Sequence, residues 1–303
     1  MSLLVVGSMA FDSIKSPFGA VERVVGGSAT YFSLAASYLT PVRLVSVVGK
    51  DFPREVIDML ASRSIDTKGL KIAGGETFRW KGYYEYDLNT AHTVKTELNV
   101  FRDFAPVLPK EYRNSPYVFL GNIDPRLQMD ILSQVRGPRL VALDTMNYWI
   151  ENSPAPLREA IGKVDIVIFN ESEIREISGE YNLVKAARTV RGWGPSRIVI
   201  KRGEYGVLHL SDGTMFAAPG YPLETIFDPT GAGDSFAGGF MGYLASRGTA
   251  DPTDMDYRLA TMYGSAIASY TVEAFSTERL QNLSTEDIAE RVDAFRALTE
   301  FRV

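Results

Sequence analysis

Residues 228–245 read "DPTGAGDSFAGGFMGYLA". Gly231, Ala232 and Gly233 make a turn almost free of side chains, one carboxylate follows at Asp234, and an apolar helical stretch begins there. Glycine admits positive φ and lets a ligand approach the backbone. If residues 231–234 are the first turn of a helix, their free N–H groups and the helix dipole form an anion hole. An acid beside such a hole has a purpose if it takes a proton. A hydroxyl attacking a phosphoryl group must lose one, and Asp234 can accept it while the amides hold the developing charge. The same aspartate could equally be a helix N-cap behind a glycine turn.

Upstream of that stretch, short β-branched runs recur: "LLVVG" at 3–7, "VRLVSVVG" at 42–49, "YVFLGN" at 117–122, "RLVALDT" at 139–145, "DIVIFN" at 165–170 and "RIVIKRG" at 197–203. They are apolar on both faces, as strands inside a parallel sheet must be. Helical patterns lie between several of them, at 28–39, 52–63 and 183–193. Strand–helix alternation of this kind defines an α/β fold, a doubly wound, mostly parallel sheet flanked by helices. The C-terminal third is mostly helical, and "STEDIAERVDAFRAL" at 284–298 opens like a capping box, with Asp287 three positions after Ser284.

Residues 77–103 break the rhythm. Phe78, Trp80, Tyr84 and Tyr86 alternate with Arg79, Lys81, Tyr83 and Glu85, "DLNT" at 87–90 supplies a turn, and Val94, Leu98 and Val100 alternate on the return. This pattern predicts an antiparallel hairpin, which needs partner strands and a cover for its aromatic face. Its partners are expected from about 11–24, so that the whole chain, 1–303, is one α/β domain carrying a small β lid. The plainer alternative is a surface hairpin packed on the body.

Ligands of open α/β sheets bind outside the carboxyl ends of the strands. Polar residues collect there: Asp12, Gly26–Gly27, Asn122, Asp124, Asp144, Asn147, Asn170, Glu173 and "KRGEYG" at 201–206. Asp124, before Pro125, reads best as a cap. Other phosphate motifs are missing: no Gly-Lys precedes Ser or Thr, and neither "GGSATYF" nor "TGAGDSF" has three spaced dinucleotide glycines.

Composition narrows the classes. The 303 residues are 45% hydrophobic with net charge -5 and no cysteine, which excludes disulfides and thiolate metal sites and fits a reducing compartment. No basic block marks a nucleic-acid face. The first apolar run spans about five residues with no cationic segment before it, a strand rather than a signal peptide. No window approaches the roughly 20 apolar residues of a membrane span. A cytoplasmic protein that binds neither nucleic acid nor membrane is expected. The two histidines, His92 and His209, are too few for a histidine-rich metal site.

At this point the chain resembles the ribokinase-like superfamily, in the carbohydrate kinase branch called PfkB. Asp228, Thr230, Gly231, Ala232, Gly233 and Asp234 match its aspartate-x-threonine-glycine-alanine-glycine-aspartate signature. Gly26–Gly27 match its double glycine, and Asn170 and Glu173 its Asn-x-x-Glu motif. The motifs fall in family order across essentially the whole chain. The resemblance implies that Asp234 is the base and that the amides of Gly231, Ala232 and Gly233 form the anion hole. It places Asp12, Gly26, Gly27, Tyr31 and Asn122 on the acceptor. Asn170, Lys201, Gly203, Gly206, Asp228 and Thr230 fall to the nucleotide, and Glu173 to magnesium, largely through water. It implies ATP and Mg2+, with a monovalent cation such as K+ as a further expectation, and a homodimer through the lid. Ribokinases proper continue the double glycine with Lys-Gly-Ala-Asn, whereas this chain has Ser28-Ala29-Thr30-Tyr31. Adenosine kinases share the serine but usually keep asparagine where Tyr31 stands. The expected activity is phosphoryl transfer from ATP to a hydroxyl of a small polyhydroxylated acceptor, a sugar first. A nucleoside kinase of the adenosine kind, or a ligand-binding member that has lost the chemistry, are the alternatives. Vitamin kinases of the superfamily generally lack the long lid.

Overall fold

Runs that are apolar on both faces have to be covered on both, and the computed structural model, which describes residues 2–300, shows how. β1 (Leu3–Val6) leads into a hairpin of β2 (Ala10–Ser16) and β3 (Gly19–Gly26), then α1 (Ser28–Ser37). β4 (Val42–Gly49), α2 (Arg54–Ser62) and β5 (Ile65–Ala73) follow, and then a second hairpin, β6 (Phe78–Tyr84) and β7 (Ala91–Glu97). Strands and helices next alternate: β8 (Tyr117–Leu120), α3 (Pro125–Gln134), β9 (Leu140–Asp144), α4 (Asn147–Asn152), α5 (Pro154–Ile161), β10 (Ile166–Asn170), α6 (Glu171–Ser178), α7 (Leu183–Arg191) and β11 (Arg197–Lys201). β12 (Val207–Leu210) and β13 (Met215–Ala218) precede the closing helices α8 (Ala232–Arg247), α9 (Asp254–Thr271), α10 (Glu278–Gln281) and α11 (Thr285–Thr299).

The large sheet runs β13-β12-β11-β10-β9-β8-β1-β4-β5. All neighbours are parallel except at β12 and β13, which join antiparallel. The chain builds outward from β1 toward β5, then returns to β8 on the other side of β1. That reversal is the topological switch point where α/β sheets hold ligands. Alternation assigns the layers. Leu3 and Val5 of β1 face α1, α2 and α8 to α11, while Leu4 and Val6 face α3 to α7.

The smaller sheet is β3-β2-β6-β7, with β2 parallel to β6 and both hairpins antiparallel. The expected partners of the 77–103 hairpin are therefore present. Its aromatic stripe is not continuous. The β6–β7 register shifts between Lys81 and Gly82, Trp80 donates from Nε1 to Thr93, and Tyr86 falls beyond β6, 84% exposed beside Phe18. Val94 on the return strand is also exposed.

Helix α1 seats the site. Phe32 stacks on Phe119 of β8 with ring centroids 4.2 Å apart, both fully buried, and this turns the adjacent Tyr31 toward α8. Removing a buried aromatic ring costs its transfer energy plus a cavity. We expect Phe119→Ala to lower the unfolding free energy by about 3–5 kcal/mol in urea titrations.

Candidate active site

The glycine-rich stretch adopts the predicted turn into a helix. Gly231 is the N-cap of α8 with φ +76°, the left-handed region that glycine tolerates. A Cβ at this position would lie 2.4 Å from Tyr31 Cγ, so the turn is seated directly on the tyrosine ring. Asp234 follows inside the helix and makes no capping hydrogen bond, which removes the N-cap reading. Among the described residues its carboxylate has no hydrogen-bond partner, and it is half-buried. Burial pushes it up to about 7, with Asp144 adding to the rise and Lys201 opposing it.

The anion hole differs in one amide from expectation. The Ala232 N–H turns back to the Pro229 carbonyl at 3.2 Å. Gly231, Gly233 and Asp234 carry the amides that make no hydrogen bond among the described residues. The turn needs all of its tightness to enter a helix at once, and the Ala232 bond closes it.

The residues before the turn are tied down. Asp228 is fully buried and accepts from the Thr230 N–H at 2.9 Å and the Ser276 N–H at 3.2 Å. Its carboxylate holds the loop in shape. The Thr230 hydroxyl donates to Tyr84 of β6 at 3.2 Å, Ser16 of β2 donates to the Phe227 carbonyl at 2.7 Å, and Ser276 donates to the Val25 carbonyl of β3 at 2.6 Å. Three strands of the small sheet thus grip the signature loop and the segment behind it. Tyr84 and Ser276 were not singled out from sequence as site residues, because nothing local marks a contact that distant.

On the acceptor side, the Asp12 carboxylate lies over Gly26, where any Cβ would strike it. Burial, with Asp228 and Asp234 nearby, raises Asp12 to about 7. Tyr31 is 1% exposed and its hydroxyl has no hydrogen-bond partner among the described residues. Burial and then Asp12, Asp228, Tyr84 and Asp234 push its pKa far upward, so it stays protonated. Asn122 accepts from the Trp149 ring N–H at 3.1 Å, which fixes it at the end of β8.

On the opposite side of Asp234, Lys201 ends β11 with Nζ 3.2 Å from Asp144 Oδ2. Gly203 and Gly206 bracket a tight 3-10 turn just after it, and Asn89 at the tip of the β6–β7 hairpin lies against Gly203. Asn170 and Glu173 form a capping box on α6. Asn170 Oδ1 accepts from the Glu173 N–H at 2.8 Å, and Glu173 Oε2 accepts from the Asn170 N–H at 2.7 Å. Burial pushes Glu173 up to about 8; Lys201 pulls it down, while Asp144 and Asp234 push it further. Among the described residues no group of three His, Cys, Asp or Glu is arranged to hold a metal ion. One free carboxylate oxygen on Glu173 fits a hard cation that keeps its own water and is held mainly by phosphate oxygens. Asp124 caps α3, accepting from the Arg126 N–H, as its place before proline suggests.

Layers, switch point, lid sheet and glycine turn define a ribokinase-like kinase fold. A putative ribokinase II from E. coli, solved in complex with ATP and Mg2+, aligns with TM-score 0.80 and 17% identity over 97% of this chain and 99% of that one. The family model described as pfkB family carbohydrate kinase matches residues 2–282, and the chain belongs to that family. A cytidine kinase of Thermococcus kodakarensis is 34% identical over 255 residues, 82% of this chain and 90% of the relative. A nucleoside kinase of Methanothermobacter thermautotrophicus is 28% identical over 312 residues, 97% of this chain and 96% of the relative. The chain is a carbohydrate or nucleoside kinase of this family.

The Asp234 geometry sets a pH test. The unfolded chain gives up this proton near 3.8, and the folded protein holds it to about 7, so stability falls as pH rises across that interval and the full loss is present above 7. Asp234→Asn removes the buried acid. In urea titrations at pH 8 the variant should be more stable than the parent by about 1–3 kcal/mol, less than the roughly 4 kcal/mol that a rise from 3.8 to about 7 represents at about 1.4 kcal/mol per pKa unit, because the half-buried carboxylate keeps part of its solvent screening, and the gain should vanish toward pH 4.

Proposed function

We propose that this chain transfers the γ-phosphoryl group of ATP to a hydroxyl of a nucleoside, with Asp234 as the base. The observation that carries the phosphoryl-transfer reading is a half-buried carboxylate without a partner among the described residues, poised near neutrality beside helix amides that also have none. A base whose pKa lies near working pH combines the right protonation state with driving force. Asp12, held over Gly26–Gly27, is placed to accept hydrogen bonds from neighbouring hydroxyls of the acceptor, since a carboxylate can take two. Tyr31 fills the floor where a ribose-specific enzyme would carry an amide, which supports an acceptor other than free ribose. The names of the relatives at 34% and 28% identity support a nucleoside. A free sugar is the second reading, favoured by the family's description as carbohydrate kinases. The intact base and glycine turn speak against a member that has lost the chemistry.

Magnesium, when bound, neutralises charge on the phosphates. Glu173 and Asn170 are the residues of this chain that would face it, largely through water. Lys201, Gly203 and Gly206 border the nucleotide in this reading. The small sheet would close the acceptor from water, which otherwise competes for the phosphoryl group.

An ADP-release screen with cytidine, uridine, adenosine, inosine, ribose and fructose tests the acceptor. A nucleoside is expected to give the highest kcat/KM, and a higher value for ribose or fructose would sink the nucleoside reading. With the best acceptor, the rate should rise with pH through about 7, where Asp234 ionises. Asp234→Asn should lose about 10²–10⁴-fold in kcat, the usual worth of a general base. Glu173→Gln keeps an acceptor for the α6 cap, and it should raise the magnesium concentration needed for half-maximal rate. An unchanged magnesium titration would remove Glu173 from the metal's surroundings.

A further inference from the structure

Lys201 sits where a nucleotide-lining residue is expected, but its surroundings point past the nucleotide to the group in flight. Its Nζ is 3.2 Å from Asp144 Oδ2 and 2.9 Å from the position a Cβ on Gly233 would occupy. The ammonium therefore lies against the bare first turn of α8, near enough to Asp234 for each to act on the other's charge. An ammonium has three donors. Asp144 takes one, and among the described residues the others have no partner. The ammonium is part-exposed, its side chain 17% accessible, so those donors are open to an arriving ligand.

The partner acid is rigidly placed. Asp144 closes the apolar strand "LVALD" with its side chain 5% exposed. Its Oδ1 accepts from the Thr145 N–H at 2.8 Å, and its carbonyl accepts from Gln128 Nε2 at 3.0 Å, which also holds the Gly121 carbonyl of the next strand at 2.8 Å. Burial opposes the charge on Lys201, but Asp144, then Glu173 and Asp234, outweigh it and hold the ammonium above its usual range. Three acids around one cation would repel an arriving phosphate if that cation faced elsewhere.

We propose that Lys201 is a catalytic residue that contacts the phosphoryl group during transfer, and that Asp144 is its positioning residue. This rests on the phosphotransferase reading of the same site. In the step, the acceptor oxygen bonds to the γ-phosphorus, and the bond from that phosphorus to the β,γ-bridging oxygen breaks. Its electron pair leaves with ADP, and the acceptor's proton goes to Asp234. Lys201 keeps its protons throughout and stabilises charge on the phosphoryl oxygens. The ion pair abuts the glycine turn and keeps donors to spare, which is the geometry such a contact requires.

Nucleotide binding without any acceptor tests this directly. Calorimetric titration of the wild type with ADP and with the β,γ-imido analogue of ATP, both with magnesium, gives the advantage conferred by the γ-phosphoryl group. Lys201→Met should weaken the analogue by roughly 10–100-fold, the worth of one hydrogen bond to a charged group, and leave ADP nearly unchanged. Lys201→Arg should recover part of the loss, and Asp144→Asn should fall between. With the best acceptor, Lys201→Met should lower kcat by about 10²–10³-fold with little change in acceptor KM. If Lys201→Met does not fold, Lys201→Met/Asp144→Asn removes the stranded acid and takes its place in the titrations. Equal weakening of both nucleotides, or an unchanged ratio between them, overturns the proposal. A wild type that binds neither nucleotide overturns the phosphotransferase reading itself, and this inference with it.

Discussion

The site depends on a steric fact at Gly231. Its backbone is left-handed and its missing side chain is replaced by the ring of Tyr31 from another helix. Only glycine permits both at once, because a Cβ would be strained by the backbone and blocked by the ring. The turn directs α8 so that its unpaired amides and Asp234 share one opening. α1 must in turn be held still, and Phe32 stacked on Phe119 anchors it to the centre of the large sheet. A contact in the core thus fixes the geometry of a turn at the rim.

The proposed chemistry would also account for a poor energetic arrangement. Asp12, Asp228, Asp144, Glu173 and Asp234 crowd one region, and burial raises each of them. A chain selected for stability alone would use amides or apolar groups there. These acids work against the fold at neutral pH, which is the expected sign of residues kept for function.

The strands inside the large sheet were legible because burial on both faces leaves no polar alternation to confuse. β5, "IDTKGLKIA", and the antiparallel β12 and β13 were not: β5 and β13 are edge strands, which face solvent and read like loops, and β12 is only four residues long. The glycine turn and Asp234 were legible because a left-handed turn limits the residue types so strongly. The Ala232 amide was not, since a backbone N–H has no sequence signature. Asp144 was visible as an acid ending a wholly apolar strand, but its partner Lys201 lies 57 positions away in sequence, and only the folded sheet brings the two ends together. Asn170 and Glu173 carry two readings at once. The same spacing that suits a phosphate site also makes a capping box, and the structure uses both side chains for the cap.

The hydrogen bonds from Thr230 to Tyr84, from Ser16 to Phe227 and from Ser276 to Val25 give the small sheet a property that a hinged flap lacks. Any displacement of that sheet pulls on the backbone leading into α8. If the small sheet closes over an acceptor as proposed, its movement and the setting of the amides at the start of α8 become a single mechanical event. It also means that this sheet cannot be exchanged between family members as a module. A chimera carrying a foreign hairpin would inherit a foreign catalytic turn unless its counterparts of Ser16, Tyr84 and Ser276 travelled together.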